Sequence, residues 1–286
     1  MTARPDPFEA MAFTDNCDLF GAVHEDGVNR VIRHIMRQRP SLFNYATADV
    51  APHAGLWCAK VDHTADVTKY GNPLFTIMDP LPVFGADSPP VGLGFVAQLV
   101  QAEIDFHKGN TITLPAELKP PLPAQHFALH FRVCASIECP SPELIDRIPV
   151  DGGRQAGTAE GKGPPKPPIV FPGKMHCFCL DVYAIGEFSH QSIAGRDFLV
   201  AKVDDMDIVD IKPDALEDNL ICYLKTTVNV VLREKLAVAI ETLLFSFPLF
   251  GLATVTLSPT PDPPIPNNPA IEDDELKVFI TMKVGP

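Results

Sequence analysis

The chain has 286 residues, of which 46% are hydrophobic, and its 36 acidic and 23 basic residues give a net charge of −13. This hydrophobic content is ample for a packed core, which excludes a chain that is disordered throughout. The negative field would repel a phosphate backbone, which argues against nucleic acid as a partner.

Proline and cysteine usage constrains the elements and the compartment. The 30 prolines favour short elements joined by irregular connections, because proline fixes φ and removes a backbone donor. Two of the seven cysteines, Cys177 and Cys179, point the same way on one strand, and we predict no disulfide framework. No signal peptide is visible, and polar residues and a proline interrupt the apolar stretch Leu236 to Leu257. We therefore expect a cytoplasmic protein without a transmembrane segment.

The first predicted element is a helix from Gly27 to Gln38. Asp26 is expected to cap its start and Pro40 to end it. Apolar residues recur at helical spacing and form one stripe that is expected to face the core. The members of this stripe are Val28, Val31, Ile32, Ile35 and Met36.

After the helix the apolar period changes to two, which is typical of strands with one face in a core. Phe95 to Phe106 is one extended run, and His126 to Glu138 is a second, with a predicted solvent-facing side. That side comprises His126, Ala128, His130, Arg132, Cys134, Ser136 and Glu138. Similar alternation marks Met175 to Ile185, Leu220 to Leu232 and Leu276 to Val284. Residues 233–247 fit a helix nearly as well as a strand, and both readings stay open.

The predicted fold class is α+β and mainly antiparallel β, with long curved strands packed on an N-terminal amphipathic helix. A two-sheet β-sandwich with one or two helices is the alternative. Residues 151–173 are rich in glycine and proline and predict a linker or mobile loop within a single domain. This segment separates a helix-led half, 1–150, from a β-rich half, 174–286, although strands of both halves can share one sheet.

Motifs that carry chemistry are missing from the sequence. There is no GxSxG elbow, no phosphate-binding glycine loop and no paired CxxC. We therefore predict no enzymatic activity, no cofactor and no metal.

Two clusters of potential metal ligands stand against this prediction. An acidic cluster offers oxygen ligands for calcium but lacks the loop of an EF-hand, and it suits a wet strand face equally well. It consists of Asp204, Asp205, Asp207 and Asp210.

Histidines and cysteines on two strands make a zinc site conceivable, but they lack the spacing of zinc modules and are predicted to be ordinary surface or core residues. They are His126, His130, Cys134, His176, Cys177 and Cys179.

Basic residues concentrate on the predicted helix. Arg30, Arg33 and Arg37 lie in a stretch without acidic residues. Because the guanidinium fork binds carboxylates and phosphates in two-pronged fashion, these residues are predicted to dock an anionic group. The alternative is a solvated helix face, paired with carboxylates from elsewhere in the fold.

The striped helix followed by long alternating strands resembles the tubular lipid-binding superfamily of the bactericidal permeability-increasing type. In that superfamily a curved antiparallel sheet wraps a helix and encloses an apolar groove for lipids. The resemblance implies a non-enzymatic protein that binds a lipid or another elongated hydrophobic molecule between helix and sheet. The residues that it places in the groove are Val28, Ile32, Ile35, Met36, Phe127, Leu129 and Phe131. The alternative function is an assembly or scaffold protein that docks a protein partner, or a copy of itself, through strand edges and Pro-rich loops.

Overall fold

The computed structural model describes residues 16–82, 91–139, 169–170, 174–175, 177–193, 196–209, 237–239, 254–260, 265 and 267–285. The helices in these ranges are α1 (Glu25–Gln38) and α2 (Ala65–Lys69), with 3-10 turns at Pro40–Leu42, Ala54–Leu56 and Ala116–Leu118. The strands are β1 (Leu19–His24), β2 (Asn44–Thr47), β3 (Thr76–Met78), β4 (Leu81–Pro82), β5 (Val91–Leu93), β6 (Phe95–Phe106), β7 (His126–Cys139), β8 (Ile169–Val170), β9 (Lys174–Met175), β10 (Phe178–Ile193), β11 (Arg196–Val209), β12 (Ala237–Ala239), β13 (Thr254–Pro259), β14 (Ala270–Glu272) and β15 (Glu275–Gly285).

The described strands form three sheets, and the largest positions every site considered below. Its eight strands run in the order β12-β11-β10-β7-β6-β2-β3, with β9 beside β7. All its pairs are antiparallel except β2 with β3. A second sheet has the order β1-β15-β13 with β14 beside β15, and a third has the order β4-β5-β8. The predicted α+β, mainly antiparallel class is confirmed.

Several predicted strands coincide with observed ones. β6 has the predicted bounds, and β7 and β15 extend the predicted runs by a residue at one or both ends. β10 starts at Phe178 and continues to Ile193, well beyond the predicted end. Ala237–Ala239, within the ambiguous segment 233–247, is a strand, while the rest of that segment and Leu220 to Leu232 lie outside the described residues.

Of the predicted linker 151–173, only Ile169–Val170 is described, and it forms a strand parallel to β5. β7 and β10, which flank this segment in sequence, pair with each other over ten residues. Strands from both halves of the chain therefore share the large sheet.

The main core lies between one face of the large sheet and the β14–β15 hairpin. Phe127 packs on Phe188 with ring centroids 4.7 Å apart, and Phe106 meets the same ring edge-on at 6.4 Å. Other members come from β6, β7, β10, β11, β14 and β15: Ile104, Leu129, Ala184, Leu199, Ala201, Met206, Ile271 and Leu276. We call the face of the large sheet that carries Phe127 and Leu129 the core face.

Helix α1 begins two residues before the predicted start. His24, not Asp26, is its cap, and His24 Nδ1 accepts the backbone N–H of Asp26 at 3.2 Å. Glu25 and Asp26 both fall in the first turn, where negative charge interacts favourably with the helix dipole.

The prediction that the whole apolar stripe of α1 faces the core is wrong. Val31 and Ile35 are 57% and 40% exposed, whereas the buried residues of the helix are the polar Glu25 and Asn29. The cause is the position of α1, which lies along the edge of β6 instead of across the sheet. Backbone groups at that edge need hydrogen-bond partners, which apolar side chains do not supply.

Two side chains of α1 supply these partners. Asn29 Nδ2 donates to the carbonyl of Ile104 at 2.8 Å, and Asn29 Oδ1 accepts the Ile104 N–H at 2.9 Å. Glu25 Oε2 accepts the N–H of Phe106 at 2.7 Å. The helix thus occupies the place of a further strand on this part of β6.

Candidate functional site

The face of the large sheet that is buried is not the same at the two ends of β6 and β7. Near Phe127 and Leu129 the core face is packed. Towards the other end of β7, the predicted solvent-facing residues Cys134, Ser136 and Glu138 are 2%, 0% and 6% exposed, so that prediction is wrong there. Ile137, on the predicted core side, is 44% exposed. At this end the covering layer lies on the opposite face, and the core face is left open.

Register identifies the residues of this open region. Directly paired residues of neighbouring strands point to the same side of a sheet. Val133 pairs with Leu99 and Ala135 with Ala97, which in turn pairs with Tyr45. Most residues that share the core face here are apolar or aromatic, although Thr76, paired with Tyr45, is polar and Leu180, paired with Val133, is buried. We call the accessible apolar members the open apolar face: Tyr45, Phe95, Ala97, Leu99, Val133, Ala135, Ile137 and Phe178.

Exposure confirms that this surface is accessible. Phe178 is 48% exposed and Tyr45 38%, while Phe95, Leu99 and Val133 are half-buried. From Phe131 to Ile137 a strand rises about 20 Å, at about 3.4 Å per residue. An exposed apolar surface of this extent, continuous with a core, is typical of a binding surface.

A segment between β2 and β3 covers the opposite face. Val50, Val61 and Phe75 pack there against Val96. The buried Gln98 holds the segment in place, since its Oε1 accepts the N–H groups of Cys58 and Ala59 at 2.8 and 2.9 Å and its Nε2 donates to the Ala59 carbonyl at 2.8 Å.

Two disulfides reinforce this layer, which corrects the prediction that no disulfide framework exists. Cys58–Cys177 ties the covering segment to the start of β10, and Cys134–Cys179 joins directly paired residues of β7 and β10. Cys177 and Cys179 do point the same way, and each finds a partner on a different segment. Disulfides are typical of oxidising compartments, so the predicted cytoplasmic location is not confirmed. No helix in the described ranges is long and apolar enough to cross a membrane.

One flank of α1 borders the open apolar face. Val28 packs against the main core, and Val31 and Ile35 lie within about 60° of it around the helix axis. The helix runs along β6 from Phe106 at its first turn towards Val100 at its last. Its exposed apolar flank therefore stands on the core-face side of the sheet, beside the open region.

The arginines occupy the other flank. Arg37 Nε lies 3.0 Å from Asp62 Oδ2, and Arg33 Nη1 lies 4.0 Å from Glu103 Oε1. Within the described part of the chain Arg30 makes no ion pair. Arg33, Arg37 and Met36 line a cavity of about 270 Å³ between α1, β6 and the covering segment.

A buried carboxyl pair lies where α1 meets β6. Asp105 is fully buried and accepts three backbone N–H groups, from Asn110, Thr111 and Ile112, at 3.2, 2.9 and 2.6 Å. Burial raises the pKa of Glu25, and hydrogen bonds from Thr111 and the Phe106 backbone partly offset this effect, while the charge of Asp105 adds to it. These contacts attach the N-terminal end of the helix to the sheet.

The structure separates the predicted groove residues into two environments. Phe127 and Leu129 are 1% and 8% exposed and are packed by protein side chains. Phe131 and Val28 are half-buried at the border of the main core, and Ile32 and Met36 are half-buried on α1. Ile35 is the one member of the set that is largely open to solvent.

Sequence reasoning missed most of the open apolar face. The period of two does mark Val133, Ala135 and Ile137 as one face of β7, and it marks Phe95, Ala97 and Leu99 likewise on β6. The local sequence does not indicate which face of these strands the covering layer packs on. That layer is held by a contact between Gln98 and Cys58, which are 40 residues apart along the chain.

The fold and this surface together define a β-rich α+β protein with an edge-bound helix and one open apolar sheet face. No protein-family model matches the chain, and no curated protein does. Among solved structures, a lipopolysaccharide binding protein matches with 11% identity and a TM-score of 0.29, over 93% of this chain and 40% of that chain. Likeness at that level does not establish a shared fold, so the resemblance to the tubular lipid-binding superfamily stays a prediction.

Proposed function

We propose that this protein binds a lipid or another elongated hydrophobic molecule along the open apolar face, beside the Val31 and Ile35 flank of α1. The observation that carries the proposal is the exposure of Ile137, Phe178 and Tyr45 on one continuous apolar side of the sheet. Covering such a surface gains about 25 cal/mol for each Å² removed from water. An elongated guest fits this surface, because it extends about 20 Å along the strands from Phe131 to Ile137.

The guest lies beyond the packed core. Phe127 and Leu129 are already enclosed by protein side chains, so the packed core that they belong to limits one end of the site and they do not contact the guest. Phe131, Ile32 and Ile35 stand at the border between the core and the open region. This placement keeps the groove between helix and sheet but shifts it towards Ile137.

Arg30, Arg33 and Arg37 supply the anionic-group contact in this proposal. They lie on the flank of α1 opposite Val28, where Arg33 and Arg37 face Glu103 and Asp62, so an anionic head would reach them by extending past the helix from the open apolar face. Arg30 is free of ion pairs within the described residues, while Arg33 and Arg37 would exchange Glu103 and Asp62 for the guest. An elongated molecule whose apolar body lies on the open apolar face and whose negatively charged head extends past α1 would contact both flanks.

The test replaces an exposed isoleucine of the face by glutamate. We expect Ile137→Glu to weaken binding of a fluorescent fatty acid by roughly tenfold or more, because an unpaired carboxylate would be desolvated under the guest. Ile77→Glu is the matched control, since Ile77 is 55% exposed on the other side of the sheet edge. Fluorescence titration of the full chain measures both variants. A wild-type protein that rejects the probe, or equal affinity in all three, contradicts the proposal.

The same titration distinguishes contacts to the anionic head of the guest from contacts to its apolar body. Replacing Arg30, Arg33 and Arg37 together by glutamine is expected to weaken an anionic fatty-acid probe and to leave an uncharged probe of equal length unaffected. Lys69→Gln, an exposed cation on α2, is the control. Equal losses for both probes would mean that the arginines hold the helix in place and do not contact an anionic group.

The alternative, an assembly protein that docks through strand edges, makes a different prediction. Light scattering after size-exclusion chromatography would show a stable complex or oligomer. The β6 edge from Ile104 to Phe106 does not favour this alternative, because Asn29 and Glu25 already occupy it.

A further inference from the structure

A histidine and two carboxylates converge on the sheet face opposite the open apolar face. His126 lies at the start of β7, Glu187 on β10 and Asp204 on β11. One ligand atom of each lies within 4.8 Å of the others. His126 and Glu187 are direct cross-strand partners, and Glu187 is paired in turn with Lys202.

A bulge in β11 brings Asp204 into this group. Ile185 pairs with Asp205 and Gly186 with Val203, so Asp204 is the additional residue that the register skips. An additional residue of this kind changes the direction of a side chain and interrupts the regular ladder. Asp204 Oδ2 thereby comes within 3.7 Å of His126 Nε2.

The tautomer of His126 is set by its other nitrogen. Nδ1 lies 2.8 Å from the carbonyl of Ala124. A carbonyl only accepts, so Nδ1 carries the proton and the neutral ring presents the lone pair of Nε2 to the carboxylates. A histidine whose second nitrogen donates to a carbonyl is the usual arrangement of a metal ligand.

A cation already lies at this position. Lys202 Nζ is 2.8 Å from Asp204 Oδ1 and 3.2 Å from Glu187 Oε1. The hydrogen bonds that the Lys202 ammonium donates to these two carboxylates raise the pKa of Lys202. Its side chain is half exposed and can turn towards solvent when a stronger cation arrives.

We propose that His126, Glu187 and Asp204 form a zinc site, in which Zn²⁺ displaces the ammonium group of Lys202. One imidazole nitrogen and two carboxylate oxygens are ligands that Zn²⁺ accepts in tetrahedral geometry, with water in the fourth position. In this arrangement, members of the acidic cluster that was considered for calcium have different partners. Asp204 joins the histidine, whereas Asp205 accepts the N–H of Met206.

The experiment titrates Zn²⁺ into the full, tag-free chain by calorimetry, with disulfides intact and remaining thiols alkylated. We expect His126→Ala and Asp204→Asn each to raise the dissociation constant by roughly tenfold or more. Lys202→Met is expected to lower it by about tenfold, because no internal cation then competes for the carboxylates. A loss of structure does not produce that gain in affinity.

His130→Ala is the control, because His130 lies on the same strand and face but its Nε2 meets the single carboxylate of Asp181 at 2.7 Å. Unchanged affinity in this variant, with losses in the first two, supports the site. Wild-type protein that binds no zinc, or His126→Ala and Asp204→Asn variants that keep the wild-type affinity, would falsify it. Unchanged affinity in Lys202→Met overturns the exchange of ammonium for metal.

Discussion

Gly186→Ala is expected to lower the free energy of unfolding by about 3 kcal/mol or more, since overpacking a rigid core is among the costliest substitutions. A β-carbon at Gly186 would collide with the carbonyl oxygen of Lys202 and would lie 2.8 Å from Phe127 Cζ. Neither neighbour can withdraw, because the first is backbone of the paired strand and the second is a buried ring. Urea denaturation followed by circular dichroism measures the change.

Gly21→Ala is the control for this substitution. Gly21 is also a strand glycine, but a β-carbon there meets nothing within 4 Å. We expect an unchanged or slightly raised stability, because alanine loses less conformational entropy than glycine on folding. If both variants unfold at the same urea concentration, the close approach of β10 and β11 at the bulge is not as described. Zinc affinity should fall in Gly186→Ala, since the same bulge directs Asp204.

Asn29→Leu is the second substitution with a large expected effect, a loss of about 2–4 kcal/mol. Leucine has the same branched arrangement of side-chain heavy atoms but leaves both the N–H and the carbonyl of Ile104 without the partners they have now. Residue 29 is only 3% exposed, so water does not replace these partners. The penalty for a buried unpaired group exceeds the gain from the added apolar surface. Thermal unfolding by calorimetry should show a clear decrease in Tm.

The outcome at a solvated asparagine distinguishes this explanation from a general intolerance of leucine. Asn72 is exposed, and Asn72→Leu should change the Tm by little. If Asn29→Leu is as stable as the wild type, α1 does not serve as a substitute strand for β6. Hydrogen exchange of the Ile104 amide then gives a direct second measurement, because protection depends on the Asn29 Oδ1 acceptor.

The two residues that fasten α1 show why the sequence interpretation of this helix was only partly right. The spacing of Val28, Ile32 and Met36 correctly indicates a helix, since helical periodicity is a local property. The same pattern places Val31 and Ile35 in the core, which is wrong. A helix beside a sheet edge needs polar groups on its buried side, and no pattern within α1 announces that it lies at an edge.

The candidate sites were accessible to sequence reasoning to different degrees. Val133 and Ile137 share a face because β-strand side chains alternate, and this much follows from the sequence. Their exposure follows from the transfer of the covering layer to the other face by Gln98 and the Cys58–Cys177 disulfide. For the zinc ligands the sequence shows only three separated residues, because their convergence depends on strand order, register and a bulge.

Residue order along the chain was thus enough to predict strands with alternating faces, one amphipathic helix and an acidic, β-rich α+β protein. These properties depend on neighbours within a few positions. Which face is covered, which cysteines pair and where the apolar surface stays open depend on contacts between segments 40 to 119 residues apart. Alternation assigns side chains to faces but contains no information on what packs against each face, and that packing leaves Ile137 and Phe178 exposed.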